Sequence, residues 1–251
     1  MKVTLLGTGA PLNPARAMTG MIVTARGCKP LLIDTCGGLE LARQLDLVGF
    51  DRAKLRNVIV THRHLDHAGG MLDLFLARIP LDIYALQDTH EGIAAIMAGA
   101  FPEWDLSPDI VLHEVSVDGT REIGGFQVQF FEGVHRVPTI AVRVSKGGKH
   151  FAFSADSVAC EALVACARGA DLFLCDALCA ERDGKKAVDR ARATMHATAR
   201  EAAEMAKAAG AKALLLTHLA RFADPRKVLA EAKAHYSGPV ALAEDGATYM
   251  L

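Results

Sequence analysis

The chain has 251 residues, of which 51% are hydrophobic, 6% aromatic and 23% charged, and its formal net charge at pH 7 is −1. This composition is typical of a soluble globular protein and excludes an intrinsically disordered chain. A charge so close to zero gives no overall attraction to nucleic acid.

The apolar runs are no longer than a strand, so no transmembrane helix is expected. The opening residues, MKVTLLG, enter a strand without the charged and apolar regions and cleavage site of a signal peptide, which predicts a cytoplasmic protein. Six cysteines occur without a C-x-x-C pair, and a disulfide framework is not expected. Cys175 and Cys179 flank Asp176 and suit either a small metal or redox site or, more often, buried thiols.

The first part of the chain predicts strands at 2–7, 19–25 and 30–34 and a helix over 38–48. The loop GTGAP after the first strand lacks the spacing of a phosphate-binding fingerprint and is interpreted as a tight loop. The third strand ends at Asp34. Its carboxylate suits either a cap for the following helix or a hydrogen-bond acceptor for a metal-binding histidine.

The next buried strand ends at six residues, HRHLDH, numbered 62–67. Three imidazoles and one carboxylate cannot all be buried without partners, and a metal ion supplies them. The spacing brings His62 and His64 towards one metal and turns Asp66 and His67 towards a second. Nitrogen-rich donors with one hard oxygen suit Zn²⁺ first and Fe or Mn²⁺ next. The alternative, a polar loop facing solvent, is disfavoured by the position of the motif at a strand end.

This motif resembles the metallo-β-lactamase superfamily, whose members bind their metals through five short motifs spread along the chain. The resemblance implies an α/β protein with a four-layer αβ/βα sandwich, formed by residues 1–251 as a single domain. It also implies that Asp34 supports the metal-binding loop.

The middle of the chain predicts a helix over about 69–77, a strand at 82–86, a helix over 89–99 and strands at about 110–117 and 126–131. Trp104 is the only tryptophan. It lies in a proline-containing loop. Its side chain either anchors this loop or lines the mouth of a substrate site.

The strand ending near residue 131 leads to His135, within the sequence HRVPTIAVR. This sequence resembles the ribonuclease Z branch, in which a histidine precedes a proline by three residues and an arginine closes the motif, although Ala141 and Val142 replace the usual glycine and tyrosine. The resemblance implies that His135 is a metal ligand. Arg143 either holds an anionic group of the substrate or points outward from the strand.

A hairpin over 140–154, with its turn at KGG, delivers Asp156 at a strand end. The resemblance implies that Asp156 bridges two metals, which we favour over the alternative, a helix cap for 158–168. Ribonuclease Z carries a long tRNA-gripping arm between the two motifs, but only 20 residues separate His135 from Asp156 here. We therefore predict that tRNA is not the substrate.

The last part of the chain predicts a strand at 171–177, a solvated charged loop over 181–186, a helix over 195–206, a strand at 212–216, a helix over 225–235 and strands at 239–243 and 247–250. The sequence HATAREA resembles the ribonuclease Z helix start H-[ST]-T-A-x-E-A, with Ala197 in place of serine. The resemblance implies that His196 donates a proton beside the metals. It also makes His218, in THLARF, the fifth motif, and Arg221 either a substrate-binding or a surface residue.

Together these residues predict a hydrolase that uses a hydroxide bridging two divalent metal ions. His62, His64 and His135 are assigned to one ion, Asp66, His67 and His218 to the other, and Asp156 to both. Asp66 is further expected to orient the hydroxide. The favoured reaction is cleavage of a small or cyclic phosphodiester, and the alternatives are arylsulfatase, lactonase and thioesterase activity at the same site. The substrate is thus an anionic or ester small molecule, with no membrane partner, and a homodimer is possible.

Overall fold

A computed structural model describes residues 1–102, 109–117 and 119–251. Its strands, in chain order, are β1 (Lys2–Gly7), β2 (Gly20–Thr24), β3 (Leu31–Thr35), β4 (Asn57–Ile59), β5 (Leu81–Ala85), β6 (Ile110–Glu114), β7 (Thr120–Ile123), β8 (Phe126–Glu132), β9 (Ile140–Lys146), β10 (Lys149–Phe153), β11 (Leu172–Asp176), β12 (Leu214–Thr217), β13 (Val240–Leu242) and β14 (Thr248–Met250). Its α-helices are α1 (Glu40–Leu47), α2 (Leu65–Ala68), α3 (Met71–Leu76), α4 (Gln87–Ala100), α5 (Glu161–Ala167), α6 (Lys185–Thr194), α7 (Ala199–Ala209) and α8 (Pro225–His235). Trp104, for which two roles were predicted, lies outside the described residues.

The strands form two seven-stranded sheets, ordered β14-β1-β2-β3-β4-β5-β6 and β13-β12-β11-β10-β9-β8-β7. In each sheet the pairings are antiparallel over one half and parallel over the other. β14 returns to the first sheet, where Met250, Tyr249 and Thr248 pair with residues 2–4 of β1. The first and last strands of the chain therefore lie side by side.

Three apolar layers hold the sheets and helices together. One lies between the sheets and contains residues of both, including Leu5 of β1 and Phe151 of β10. A second packs α1 to α4 on the outer face of the first sheet, and a third packs α5, α7 and α8 on the outer face of the second. This arrangement confirms the predicted four-layer αβ/βα sandwich.

Residues 181–186 are largely exposed, as predicted, but they are not an irregular loop throughout. Residues Glu181–Asp183 form a 3₁₀ turn and α6 follows from Lys185. The turn is held by Glu231 of α8, whose buried carboxylate accepts hydrogen bonds from the backbone N–H groups of Glu181 and Arg182. The charged residues Lys185 and Lys186 form the start of a helix whose buried side consists of Ala187 and Ala191.

The helix predicted to open at residue 195 begins at Ala199, because Thr198 is its N-cap. Thr198 and Glu201 form a reciprocal capping box, in which the Glu201 carboxylate accepts a hydrogen bond from the Thr198 backbone N–H at 2.9 Å. Met195 ends α6 in the left-handed conformation. His196 consequently lies in the turn between α6 and α7, and not in a helix.

The described residues also settle two smaller points. All six cysteines are unpaired, and Cys175 and Cys179 are buried thiols, as favoured by their sequence context. Burial raises the pKa of Cys179 to about 12. Among residues 1–102, 109–117 and 119–251, no helix is both long and apolar enough to cross a membrane.

Gly70, between α2 and α3, allows these helices to pack closely on the first sheet. A Cβ atom at this position would overlap the backbone carbonyl of Thr35 at the end of β3. We therefore expect Gly70→Ala to lower the free energy of unfolding by about 1–3 kcal/mol, since the overlapping atom is backbone and cannot rotate away. Urea unfolding measures this change.

The matched control is Gly99→Ala on the exposed side of α4, where an added Cβ meets nothing within 4 Å. That variant should gain about 0.5–1 kcal/mol from the better helix propensity of alanine. Equal stability of the two variants would contradict this account of Gly70.

Candidate metal centre

The segment that follows β4 carries four of the predicted ligands towards one point. His62 is fully buried, His64 is the N-cap of α2, and Asp66 and His67 lie within that four-residue helix. Because the chain turns tightly here, neighbouring residues of this segment belong to two different groups of donor atoms. Three further segments, which carry His135 after β8, Asp156 after β10 and His218 after β12, meet it from the second sheet.

A first group of donor atoms consists of His62, His64, His135 and Asp156. The Nε2 atoms of His62 and His135 each lie 3.1 Å from Nδ1 of His64. The Asp156 Oδ2 atom lies 3.7 Å from Nε2 of His62. Three nitrogens and one oxygen thus converge, a donor set that suits Zn²⁺.

A second group consists of Asp66, His67, His218 and the same Asp156. The Nε2 atom of His67 lies 3.2 Å from Asp156 Oδ1, and the Nε2 atom of His218 lies 3.2 Å from Asp66 Oδ2. Asp156 belongs to both groups and presents its two oxygens to them. Within each group the donor atoms lie within 4.8 Å of one another.

The orientation of the imidazole rings shows that these groups fit a metal. Nδ1 of His67 donates to the Asp34 carboxylate at 2.7 Å, and Nδ1 of His135 donates to the Met195 carbonyl at 3.1 Å. Because each ring donates outward through Nδ1, its Nε2 atom faces the donor group and, once deprotonated, would offer its lone pair to a metal. The Nε2 atom of His67 is buried against two carboxylate oxygens, Asp156 Oδ1 at 3.2 Å and Asp66 Oδ2 at 3.4 Å, a position that suits a shared cation.

The charged side chains of the two donor groups favour a bound cation. Burial alone would raise the pKa of Asp156, but His218, His67 and His196 hold it well below its usual range. Burial likewise disfavours a charged His67, yet Asp156, Asp34 and Asp66 hold the pKa of His67 well above its usual range. Asp156 therefore remains ionised beside these histidines, and bound metal ions would supply the positive charge in their place.

Asp34 supports the metal-binding segment from β3. Its carboxylate accepts hydrogen bonds from the Thr61 backbone N–H at 2.8 Å and from the Thr61 hydroxyl at 2.9 Å, in addition to the His67 ring. The Thr61 hydroxyl in turn lies 3.1 Å from Nδ1 of His62. One carboxylate thus fixes the rings of two histidines in different groups.

Asp176 has the corresponding position in the second sheet, and its role was not predicted. This carboxylate at the end of β11 accepts a hydrogen bond from Nδ1 of His196 at 2.8 Å, and its other oxygen lies 3.8 Å from Nδ1 of His218. Asp176, Asp156 and neighbouring carboxylates overcome the effect of burial and raise the pKa of His196 to about 9. A carboxylate closing an apolar strand, as Asp34 does, was the sequence signal for it.

Strained backbone accompanies these strand ends. Asp34, Ala155 and His218 are non-glycine residues with φ of 55°, 53° and 59°, in the left-handed region that such residues seldom adopt. Asp34 supports the centre, Ala155 directly precedes Asp156, and His218 belongs to the second donor group. Such strain persists where the surrounding structure enforces it, and it is concentrated at functional sites.

A cavity of about 690 Å³ opens onto the centre. Its lining consists of Pro11, His64, Leu65, Asp66, His135, Arg136, Val137, Asp156, Thr194, His196 and His218. Arg136 is the cation at this mouth, and it is exposed and forms no ion pair with the described residues. It follows His135 directly but was not singled out from the sequence.

The two arginines expected to bind substrate lie elsewhere. Arg143 donates hydrogen bonds at 2.8 Å to the backbone carbonyls of Cys166 and Arg168, at the C-terminal end of α5. This position follows from strand alternation, which turns the side chain to the helix-covered face, so the substrate-binding prediction for Arg143 is wrong. Arg221 lines an adjoining cavity and not the one at the centre.

Comparison with known proteins places this arrangement in a family. The model of the β-lactamase superfamily domain matches residues 30–219. The chain belongs to this superfamily. A ribonuclease Z of Myxococcus xanthus is 39% identical, in an alignment covering all of this chain and 98% of that protein.

Solved structures agree with this assignment of the β-lactamase superfamily. The metallo-β-lactamase fold protein YhfI of Bacillus subtilis is 27% identical with a TM-score of 0.83, over 99% of this chain and 98% of that one. The short form of human tRNase Z is 25% identical with a TM-score of 0.78, over 100% and 99% of the two chains. The family and its ribonuclease Z-like branch are those that the sequence motifs predicted.

We expect Asp176→Asn to weaken metal binding about 10- to 100-fold, because the amide no longer holds the His196 and His218 rings as the carboxylate does. Competition with a chromophoric chelator measures the affinity. Asp171→Asn is the matched control, since Asp171 precedes the same strand at its opposite end and pairs with Lys149 and Lys212. An equal loss in both variants would show that Asp176 acts only through stability.

Arg136, which precedes β9, and Arg143, within it, should have roles opposite to those suggested by the sequence. Arg136→Ala should raise KM for an anionic ester about tenfold, the scale of one charge-assisted hydrogen bond. Arg143→Ala should leave KM unchanged and lower Tm, because it removes two hydrogen bonds to α5. Steady-state kinetics and thermal unfolding of both variants decide the matter, and a KM effect confined to Arg143→Ala would reverse the assignment.

Proposed function

We propose that this protein is a metal-dependent phosphodiesterase that acts on small or cyclic phosphodiesters. The observation that carries the proposal is the position of His196, whose ring stacks on that of His218 with centroids 4.9 Å apart and lies on the wall of the cavity over the metal centre. A proton donor beside a dinuclear centre suits cleavage of an ester with a poor leaving group. The relatives named ribonuclease Z favour a phosphodiester over other esters.

The proposed ligands are His62, His64 and His135 for one ion, Asp66, His67 and His218 for the other, with Asp156 shared. The donor set suits two Zn²⁺ ions, and Mn²⁺ or Fe are the alternatives. When bound, such ions activate water at neutral pH and polarise the ester oxygen.

Three side chains of the protein, Asp66, His196 and Asp176, supply the remaining catalytic roles. Asp66, ionised because His67 and His218 offset its burial, accepts a hydrogen bond from the attacking water and so orients it. His196 carries a proton on the ring nitrogen opposite its bond to Asp176 and delivers that proton to the leaving oxygen. Asp176 keeps the ring in this orientation and stabilises its charged form.

A small substrate is proposed in preference to tRNA because of the segment between His135 and Asp156. β9 and β10, joined by a turn at Gly147 and Gly148, take up most of this interval. The alignment with the Myxococcus xanthus enzyme runs over 313 positions, 62 more than the 251 residues of this chain, so that relative contains insertions. The names of the relatives nonetheless make tRNA processing the second candidate.

Both substrates can be tested together. Bis(p-nitrophenyl) phosphate, a cyclic nucleotide and a precursor tRNA with a 3′ extension are offered to zinc- and manganese-loaded protein, with Asp156→Ala as the control. Arylsulfate, lactone and thioester substrates complete the panel. Specific cleavage of the precursor at its 3′ extension would replace the small-substrate proposal, and turnover confined to a sulfate, lactone or thioester would replace the phosphodiester.

His196→Ala should retain its metal and lose phosphodiester turnover about 10²- to 10⁴-fold, the contribution typical of a positioned acid. Metal content by mass spectrometry and kcat are measured on the same sample. The matched control is His150→Ala, a partly buried histidine of β10 that hydrogen-bonds Ser145. Unchanged kcat in His196→Ala would remove the proton-donor role.

A further inference from the structure

A second cavity adjoins the one over the metal centre. It has a volume of about 470 Å³ and shares Pro11 with the first cavity. Its lining is Pro11, Leu12, Asp183, Lys186, Ala187, Arg190, Ala220, Arg221 and Phe222. No residue in this list has been given a role in catalysis, although Arg221 was expected from the sequence to hold an anion.

One face of α6 connects the two cavities. Lys186, Arg190 and Thr194 are spaced four residues apart and so lie on one face of the helix. Thr194 lines the first cavity, whereas Lys186 and Arg190 line the second. At 1.5 Å per residue, the Cα atoms of these two cations lie about 12 and 6 Å along the axis from that of Thr194. The helix thus forms a continuous wall that leads away from the metal centre.

The cations in the second cavity are free to bind an anion. Other cations of α6 are paired, Lys185 with Asp189 and Arg192 with Glu201. Among the described residues, none of the three cations that line the cavity (Lys186, Arg190 and Arg221) forms an ion pair within 4.0 Å.

The carboxylate at this cavity does not neutralise these cations. The Asp183 side chain is only 4% exposed and accepts hydrogen bonds from the backbone N–H groups of Ala180 and Asp224. Its negative charge is therefore met by these backbone groups and by Lys227, whose Nζ atom lies 3.8 Å from Asp183 Oδ1, and the exposed surface of the cavity is basic.

The cavity also presents apolar surface. Phe222 is 46% exposed and Leu12 is 80% exposed, although large apolar side chains are usually covered. An exposed aromatic ring beside unpaired cations is the combination that binds a nucleobase and its phosphate, since the ring stacks on the base while the cations contact the phosphate.

We propose that the second cavity binds the terminal phosphate and base of an extended nucleotide substrate whose phosphodiester lies at the metal centre. The inference rests on the proposed function and specifies its substrate class as a dinucleotide or short oligonucleotide with a terminal phosphate. Lys186 and Arg190 contact the phosphate, and Phe222 stacks on the base. These residues determine specificity and take no part in bond cleavage.

Equilibrium binding tests this inference independently of turnover. The probes are the dinucleotide pApA with a non-cleavable methylene phosphonate linkage and the same compound without its 5′-phosphate, titrated into metal-loaded protein by calorimetry. The 5′-phosphate should tighten Kd about tenfold, the scale of one charge-assisted contact, and higher salt should reduce this advantage. In the double variant Lys186→Ala/Arg190→Ala the ratio should fall to about one.

Lys233→Ala is the matched control, because Lys233 is an exposed helical lysine in the last turn of α8, away from both cavities. It should keep the tenfold ratio. Phe222→Ala should weaken both probes severalfold, since both contain the base. Equal Kd values for the two probes, or a ratio that survives in the double variant, would overturn the inference.

The same samples separate this inference from the proposed function. Hydrolysis of bis(p-nitrophenyl) phosphate, which has no second anionic group, reports on the metal centre alone. Normal hydrolysis with equal Kd values for the probes would contradict only the second cavity's role. Loss of all phosphodiester turnover with a tenfold Kd ratio would contradict the phosphodiesterase and uphold the second cavity as a binding site.

Discussion

Four aspartate carboxylates lie buried at the edge where loops of the two sheets converge, and each needs a partner to remain ionised there. Asp34 has hydrogen bonds from Thr61 and His67, and Asp176 has one from His196. Asp66 and Asp156 face the histidine nitrogens instead. The partners of these four carboxylates come from several strands and loops. The surrounding loops must therefore bring those partners to this edge.

The centre is shared between the two halves of the sandwich. The first sheet provides the segment 62–67, held by Asp34, and the second provides Asp156 and His218, held with His196 by Asp176. The two supporting carboxylates have corresponding positions, each at the last or next-to-last residue of a strand in the parallel part of its sheet. Metal binding at this point would therefore join the halves as well as supply chemistry.

Much of this arrangement could be predicted because it follows from short, dense motifs. The six residues 62–67 predicted a metal site by themselves, since several titratable groups so placed have few uses besides metal binding. Their resemblance to the metallo-β-lactamase superfamily predicted the fold and the further proposed ligands His135, Asp156 and His218. What could not be predicted depends on tertiary position. Arg143 and Arg136 both follow His135, and only the direction of β9 decides which of them reaches the cavity.

The same limit applies to α6 and to Asp176. The buried face of α6 is made of Ala187 and Ala191, which belong to one apolar cluster with Ala10 and Leu178, so the partners that make this face part of a core lie far away in the sequence. Asp176 closes an apolar strand, but its partner His196 lies 20 residues further along the chain, in the turn between α6 and α7. The role of a small buried residue or an isolated carboxylate depends on neighbours that are distant in the chain.

The pairing of β14 with β1 has a consequence for how the chain is made. Thr4 and Thr248 share a hydrogen bond across 244 positions of sequence, so closing this part of the first sheet carries a large loop-closure entropy. Contacts of such high sequence separation slow folding. During synthesis, β1 leaves the ribosome early and remains an open sheet edge until residues near 248 emerge, a period in which the nascent protein is most exposed to wrong strand pairing.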